Sequence, residues 1–227
     1  MTKQKALIAS TLLAVTLCIV QISWAESSLT GNIGVTTNYM WRGITKSDDR
    51  AAVSSGLDYA HTSGWYIGGW TSSLDGSDSE GNYELNLYTG YSFNAGPVDF
   101  DFGFIDYRFP VGPAPADFGE VYIKASIKNF GVGAYYTVHK EAVEKNKLYL
   151  HDDFYLYLSA AFEVRKDLYL DLLIGRNNFD DPNSMDYNHG VLGLRKNDFT
   201  ITFQKNDLSG TAGDTRWSGS WRKKFDL

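Results

Sequence analysis

The sequence YELNLYTGYSF, residues 83 to 93, alternates between two kinds of side chain along its whole length. Most odd-numbered positions are large and apolar, and the even-numbered positions are polar, small or tyrosine. A repeat of two residues predicts a β-strand with one apolar face, because a helix repeats every 3.6 residues. The stretch is also close to the ~9–11 residues that a tilted strand needs to cross hydrocarbon.

Similar alternation recurs on both sides of this stretch and predicts about twelve strands. The connections alternate in length, which is typical of a transmembrane antiparallel up-and-down β-barrel in an all-β chain. An even strand number puts both termini on the side of the short turns, which is the periplasm for a bacterial outer membrane. We expect strands at Leu29–Trp41, Ala51–Ala60, Gly64–Leu74, Tyr83–Phe93, Val98–Arg108, Phe118–Lys128, Phe130–Val138, Asp153–Val164, Leu168–Arg176, Asp186–Lys196, Phe199–Gln204 and Arg216–Leu227.

The faces of most predicted strands can be assigned from the alternation. In the first strand, Tyr39 and Trp41 fall on the apolar face, and the polar stretch Arg42–Arg50 that follows is expected to form the first long loop. The strands Gly64–Leu74 and Asp186–Lys196 have apolar side chains in both phases. The alternation therefore does not orient these two strands.

The N-terminus has the features of a secretory signal peptide. Lys3 and Lys5 precede an apolar run, and Ser23-Trp24-Ala25 ends in the small-residue pattern of a cleavage site. We expect cleavage after Ala25, which leaves residues 26–227 as a single barrel domain. Cleavage also removes Cys18, the only cysteine, so disulfides and thiolate metal sites are not expected in the exported chain.

The charge balance of the exported chain is acidic. The full sequence has 27 acidic and 21 basic residues, and loss of Lys3 and Lys5 leaves a net charge of -8. This balance argues against binding to nucleic acid, which needs clustered basic side chains.

Neither catalytic nor metal-binding motifs stand out. The four histidines, His61, His139, His151 and His189, are far apart and lack metal-ligand spacing. We interpret them as mainly solvated loop residues rather than ligands. The acidic segments Asp75–Glu80 and Asp180-Asp181 could bind a divalent cation or be solvated loops, and the second interpretation is favoured. The sequence therefore predicts neither an enzyme nor a cofactor, and an outer-membrane hydrolase is the least favoured alternative.

Several short motifs resemble the TorF family of proteobacterial porins. They include Tyr39-Met40-Trp41-Arg42-Gly43, Gly56-Leu57-Asp58-Tyr59, Glu84-Leu85-Asn86-Leu87-Tyr88 and Tyr107-Arg108-Phe109-Pro110. The resemblance covers most of the exported chain and is strongest over residues 30 to 136. It implies an outer-membrane barrel and a porin function.

The inward phase contains the candidate pore-lining residues. Acidic side chains outnumber basic ones there, and rings of acidic side chains favour the passage of cations. The alternative is that the charges pair across the lumen and fill it, as happens in narrow barrels. The candidates are Asp58, Glu84, Asp101, Glu120, Glu163 and Asp171, with Lys124 of opposite charge; Asp99, Lys128, Arg222 and Lys224 share the same phase.

Arg42 is a separate candidate at the end of the first predicted strand. Its guanidinium could project over the pore mouth and screen anionic solutes, since it offers a planar fork of donors. Alternatively it pairs at the rim with a carboxylate of a neighbouring strand and holds the barrel in shape.

These features favour a passive outer-membrane channel for small hydrophilic solutes with a mild preference for cations. Its expected partners are the lipid bilayer and those solutes. The main alternative is a structural or adhesive barrel that does not conduct and binds a partner through its long loops. A secreted β-sandwich is disfavoured, because its core would need the inward face to be apolar.

Overall fold

The computed structural model describes residues 27–75, 81–111, 117–140, 152–180 and 184–227, and these form a closed antiparallel barrel of twelve strands. The predicted all-β fold, an antiparallel barrel of about twelve strands, is confirmed. The barrel consists of β1 (Ser28–Thr36), β4 (Ala52–Ala60), β5 (Trp65–Ser73), β6 (Tyr83–Ala95), β7 (Val98–Arg108), β8 (Phe118–Ile127), β9 (Phe130–Lys140), β10 (Phe154–Arg165), β11 (Leu168–Asn178), β12 (Tyr187–Lys196), β13 (Phe199–Asn206) and β14 (Arg216–Asp226). A small hairpin adds β2 (Met40–Trp41) and β3 (Ile44–Thr45), and a 3-10 turn spans Gly210–Gly213.

The barrel closes between its first and last strands. Thr30 of β1 pairs with Asp226 of β14, and Ser28 pairs with Ala60 of β4. Both ends of the described chain therefore lie at the end of the barrel that carries the short turns. The expected signal peptide, residues 1–25, lies outside the described residues. No helix in the described part of the chain is long and apolar enough to cross a membrane.

The outer face of the barrel is apolar, as the alternation predicts. Leu158 is 54% exposed and Ile201 is 50% exposed, although both are aliphatic. An apolar girdle of this kind suits a barrel that lies in a bilayer. The structure also orients the two undecided strands: Tyr66 and Trp70 of β5 and Tyr187 and His189 of β12 face the interior.

The first predicted strand ends five residues earlier than expected. β1 stops at Thr36, and the chain then turns into the barrel, where Tyr39 and Trp41 are buried. The assignment of these two aromatics to the outer face is wrong. The prediction that Arg42–Arg50 forms a long external loop is also wrong, because the first half of this segment lies inside the barrel. We refer to residues 37–50 as the inner hairpin.

The inner face of the barrel is divided into two parts. Each of the eight strands β5 to β12 carries at least one inward tyrosine, and we call this part the tyrosine arc. The inward positions of β13, β14, β1 and β4 carry no aromatic side chain, and we call this part the hydroxyl arc. Its inward side chains are mostly small and polar, including Thr30, Asn32, Ser54, Thr200, Thr202, Gln204, Ser218 and Ser220.

Candidate functional site: the lumen and its inner hairpin

The inner hairpin is built around a two-residue turn. Met40 pairs with Thr45 and Trp41 with Ile44, which leaves Arg42 and Gly43 at the tip. Both tip residues have positive φ, 47° and 80°. This is the backbone of a type I′ turn, the connection that suits a tight hairpin and usually has glycine at its second position. The sequence Arg42-Gly43 thus places an arginine at the innermost point of the hairpin.

The guanidinium of Arg42 fixes the hairpin tip to the barrel wall. Its Nη1 and Nη2 donate to Oε1 and Oε2 of Glu120 on β8 at 2.9 and 2.6 Å. The guanidinium carbon lies 4.2 Å from the centre of the Trp41 ring and 4.1 Å from that of Tyr155. Arg42 and Glu120 are 3% and 2% exposed. Loss of one partner of such a pair would leave a buried charge without compensation.

The carbonyl side of the tip is held by the opposite wall. The Asn206 side chain on β13 donates to the Gly43 carbonyl oxygen at 2.8 Å. A Cβ at Gly43 would lie 2.6 Å from the Cβ of His189 on β12, so this position has no room for a side chain. The hairpin therefore crosses the lumen and contacts wall strands on both sides.

The base of the hairpin is held by further polar contacts. Ser47 is 1% exposed, accepts a hydrogen bond from the Tyr39 amide at 2.8 Å and donates to the Arg50 carbonyl at 2.6 Å. The Tyr39 hydroxyl donates to Glu84 Oε2 at 3.1 Å. Arg216 of β14 donates to Asp49 at 2.8 Å. These contacts make the hairpin a packed part of the barrel interior.

The tyrosine arc fills the lumen below the hairpin tip with stacked rings and paired charges. The ring centres of Tyr122 and Tyr135 are 5.2 Å apart, and those of Tyr135 and Tyr155 are 6.0 Å apart. Asp101 accepts hydrogen bonds from the Tyr66 hydroxyl at 2.5 Å and from Lys124 Nζ at 3.0 Å. This side of the lumen is bulky, and Lys124 compensates the charge of Asp101 locally.

The hydroxyl arc leaves more room. A cavity of about 40 Å³ lies between the hairpin and this arc, and its walls include Ser54, Gln204, Ser218 and Ser220. A volume of this size can hold about two or three waters when measured by their centres. A route for water through the barrel would therefore run along the hydroxyl arc.

The structure places most of the expected lining residues inside the barrel. Asp58, Glu84, Glu120, Asp171 and Lys124 are buried. Arg195 compensates Asp171, with Nε 3.0 Å from Oδ2.

Two candidates lie elsewhere than expected. Arg42 lies inside the lumen rather than at the outer rim, because the chain turns inward after Thr36. It does pair with a carboxylate, as one alternative proposed, but with a distant strand. Glu163 is exposed at the short-turn end, where its Oε1 accepts a hydrogen bond from the Asp167 amide at 3.1 Å.

The sequence interpretation missed the role of His189. This side chain is 4% exposed, and its Nε2 lies 2.9 Å from the Tyr155 hydroxyl, so the solvated-loop interpretation does not apply to it. A histidine in the ambiguous strand Asp186–Lys196 was the available signal. His61 is exposed in a short turn, and His151 lies outside the described residues. No group of three or more potential metal ligands occurs within the described ranges.

A family model matches residues 23–220, and the chain therefore belongs to the Gcw_chp family, described as bacterial proteins of unknown function. No curated protein matches the sequence. The family model does not carry the TorF name, so that resemblance stays a prediction.

Solved structures with a similar fold include porins. The KdgM porin has a TM-score of 0.55 and 8% identity, with 86% of this chain and 99% of that chain covered. The KdgM porin in complex with disordered oligogalacturonate has a TM-score of 0.51 and 8% identity, with coverage of 87% and 99%. Another similar chain comes from work on in-meso crystallisation of membrane proteins, with a TM-score of 0.57, 10% identity and coverage of 88% and 84%. At these identities the likeness shows the barrel fold alone.

Proposed function

We propose that this protein is an outer-membrane porin that lets small hydrophilic solutes diffuse passively. The observation that carries the proposal is the closed barrel with an apolar outer face and a hydroxyl-lined inner wall. A wall of Ser, Thr and Gln side chains suits water and polar solutes. The fold shared with the KdgM porin and the sequence resemblance to TorF porins support the same function.

In this proposal, the inner hairpin limits the size of the solute. It crosses the lumen from Glu120 on one wall to Asn206 on the other, and it leaves a small cavity beside the hydroxyl arc. Solutes would pass between the hairpin and that arc. The barrel would be oriented with its long loops outside the cell and its termini in the periplasm, as the short-turn rule predicts.

We also propose a mild preference for cations. Three inward carboxylates, Asp101, Glu120 and Asp171, are each paired with a basic side chain and therefore contribute little net field. Asp58 has no such partner among the described residues. Charges in a narrow lumen are screened less than surface charges, so a small acidic excess can bias the passage of ions.

The decisive experiment is a single-channel recording of purified protein in a planar bilayer, followed by the reversal potential across a potassium chloride gradient. We expect discrete conductance steps and a reversal potential of the sign given by cation preference. Absence of any steps from protein that is folded, as judged by a gel-mobility difference between unheated and boiled samples, would contradict the channel function.

A structural barrel that does not conduct is the second candidate. The specific observation in its favour is the packed interior, where Arg42, Glu120 and the stacked tyrosines bridge the lumen. The same recordings distinguish the two candidates, and a variant with a loosened hairpin adds a further test. If neither the wild type nor Glu120→Gln conducts, the structural role is favoured.

A further inference from the structure

One basic side chain on the outer face of the barrel has no acidic partner. Lys205 is exposed in the outward phase of β13, beside the exposed apolar residue Phe203. Its Nζ donates to the Gly213 carbonyl oxygen at 3.0 Å, and it forms no ion pair with another described residue. Arg176 of the same rim differs, because it donates to Asp186 at 3.0 Å. Lys205 therefore presents an ammonium on a surface that is otherwise largely apolar.

An open groove lies beside Lys205 and runs across β10 to β13. Its volume of about 630 Å³ is within the range of ~300–1,000 Å³ that small-molecule sites occupy. The walls include Leu158, Ile174 and Phe203, which are all exposed. An adjoining groove of about 580 Å³ shares Leu158, Ile174 and Lys205 and extends to Arg176. The groove is thus apolar toward the middle of the barrel and polar at the long-loop rim.

Gly190 forms the floor of this groove. It lies directly opposite Lys205 on one neighbouring strand and Ile174 on the other. A Cβ at Gly190 would have its nearest neighbour, the Leu173 carbonyl oxygen, at 3.9 Å, so the position has room for a side chain. A glycine inside a strand weakens it and often marks the close approach of a ligand. We refer to the space over this residue as the Gly190 notch.

The groove matches an amphiphile that has an acyl chain and an anionic headgroup. An acyl chain would pack along Leu158 and Ile174, and a phosphate oxygen would accept a hydrogen bond from Lys205. Lysine binds phosphate as a compact point charge. The nearby Asp207 is engaged by Asn188, whose backbone and side-chain amides donate to it at 2.7 and 2.6 Å. Lys205 is two residues nearer than Asp207 to the apolar part of the groove.

We propose that the Gly190 notch and Lys205 bind one anionic phospholipid of the leaflet at the long-loop end. The acyl chain fills the notch, and the phosphate contacts the ammonium of Lys205. The full sequence has a formal net charge of -6, so the protein as a whole does not attract anionic lipid. A preference for such a lipid must therefore come from a local cation. The site requires a barrel in a bilayer, but it does not require the lumen to conduct.

The first test measures lipid retention by the detergent-solubilised barrel in native mass spectrometry. We expect the wild type to bind one dimyristoylphosphatidylglycerol about fivefold more tightly than dimyristoylphosphatidylcholine, the factor that one lysine contributes near anionic lipid. Lys205→Gln should remove this preference. The matched control is Lys196→Gln, which removes an exposed lysine at the short-turn end of β12. Equal retention of the two lipids by the wild type, or equal losses in the two variants, would overturn the inference.

The second test fills the notch and leaves Lys205 in place. We expect Gly190→Leu to weaken binding of both lipids without lowering the unfolding temperature, since leucine suits a lipid-facing strand. The matched control is Gly219→Leu on β14, where a Cβ has its nearest neighbour at 3.9 Å and the residue opposite is Ile201. Unchanged lipid binding by folded Gly190→Leu would contradict the site. A dimer that Gly190→Leu abolishes would overturn it in favour of a second copy of the chain.

The lipid site and the channel can fail independently. A preference for phosphatidylglycerol in a barrel that does not conduct would retain the site and reject the channel. Conductance from a barrel without this preference would reject the site and retain the channel. If Lys205→Gln does not fold, Lys205→Met provides a second neutral variant with an apolar side chain. Lys205→Arg should keep the preference, because it keeps the charge, and its loss in that variant would contradict the role of the charge.

Discussion

The two arcs of the lumen have the same strand backbone but differ in the size of the side chains that face the interior. The tyrosine arc is filled by ring stacks and ion pairs, and the Arg42–Glu120 pair attaches the hairpin to it. The hydroxyl arc has mostly short polar side chains and borders the cavity, which Arg222 of β14 also lines. A barrel of twelve strands lies between narrow barrels, which side chains fill, and wide ones, which hold water. In this protein, side chains fill one side of the lumen, and a small cavity borders the other side.

The largest expected effect is the loss of stability when the buried Arg42–Glu120 ion pair, which joins the hairpin to the tyrosine arc, is broken. Glu120→Ala leaves Arg42 buried without a counter-charge, and we expect it to lower the free energy of unfolding by about 3–5 kcal/mol. Denaturant unfolding of the refolded barrel measures this change. The matched control is Glu163→Ala, which removes an exposed carboxylate at a turn. A similar loss in both variants would contradict the role of Glu120 as the hairpin's anchor.

The lipid-facing sides of the two arcs should be equally sensitive to an introduced charge. Leu158 lies outside the tyrosine arc and Ile201 outside the hydroxyl arc, with similar exposure of 54% and 50%. We expect Leu158→Arg and Ile201→Arg to cost about 2–4 kcal/mol each, because both put a charge on the lipid face. Ser220→Arg, on the inner face of β14, should cost much less. Unfolding in lipid vesicles measures all three, and a large loss at Ser220 would contradict the assigned faces.

Inserting a ring into each arc tests where solutes pass. Ser54 lies in the hydroxyl arc and Ser159 in the tyrosine arc, and both are half-buried. Ser159→Phe should overpack its site and cost about 1–3 kcal/mol, with little effect on conductance. Ser54→Phe should cost less, because it enters the cavity, but should reduce single-channel conductance. Reduced conductance from Ser159→Phe alone would place the route on the other side.

The smallest expected effect is at the long-loop rim near β11 to β13. The Phe179 amide, Asn178 and Arg176 donate to Asp186 and lower the pKa of its carboxyl group. The stability from a carboxylate with a lowered pKa is present above its unfolded pKa of about 3.9 and is lost as the pH falls through the lower folded value. We expect hydrogen exchange at residues 179, 180 and 184–187 to increase below about pH 4. Asp186→Asn should show the fast exchange at neutral pH, whereas an unchanged rate would rule out this role.

The barrel itself could be predicted from sequence because period-two alternation depends on local residue order. The orientation of strands such as Tyr83–Phe93 follows directly from which face is apolar. The inner hairpin could not be predicted in this way. Tyr39 and Trp41 continue the alternation of β1, so a buried segment in the lumen has the same pattern as a lipid-facing one. The partner that distinguishes the two, Glu120, is 78 residues from Arg42 in sequence.

The polar candidates illustrate the same limit. Their inward phase was readable, but their pairing was not, because Asp171 meets Arg195 and Asp101 meets Lys124 only through the register of neighbouring strands. Glu163 shares the inward phase, yet it lies at the strand end, beside a register shift between Glu163 and Arg165. Phase alone does not determine depth along the barrel axis.

The position of the inner hairpin has a consequence for how the barrel assembles. The hairpin follows the first strand, whereas Asn206 and Arg216, which hold Gly43 and Asp49, belong to the last two strands. These contacts can form only when the C-terminal strands arrive. The hairpin is therefore fully anchored only when β14 docks on β1, so that anchoring of the plug and closure of the wall are coupled in one late step of assembly.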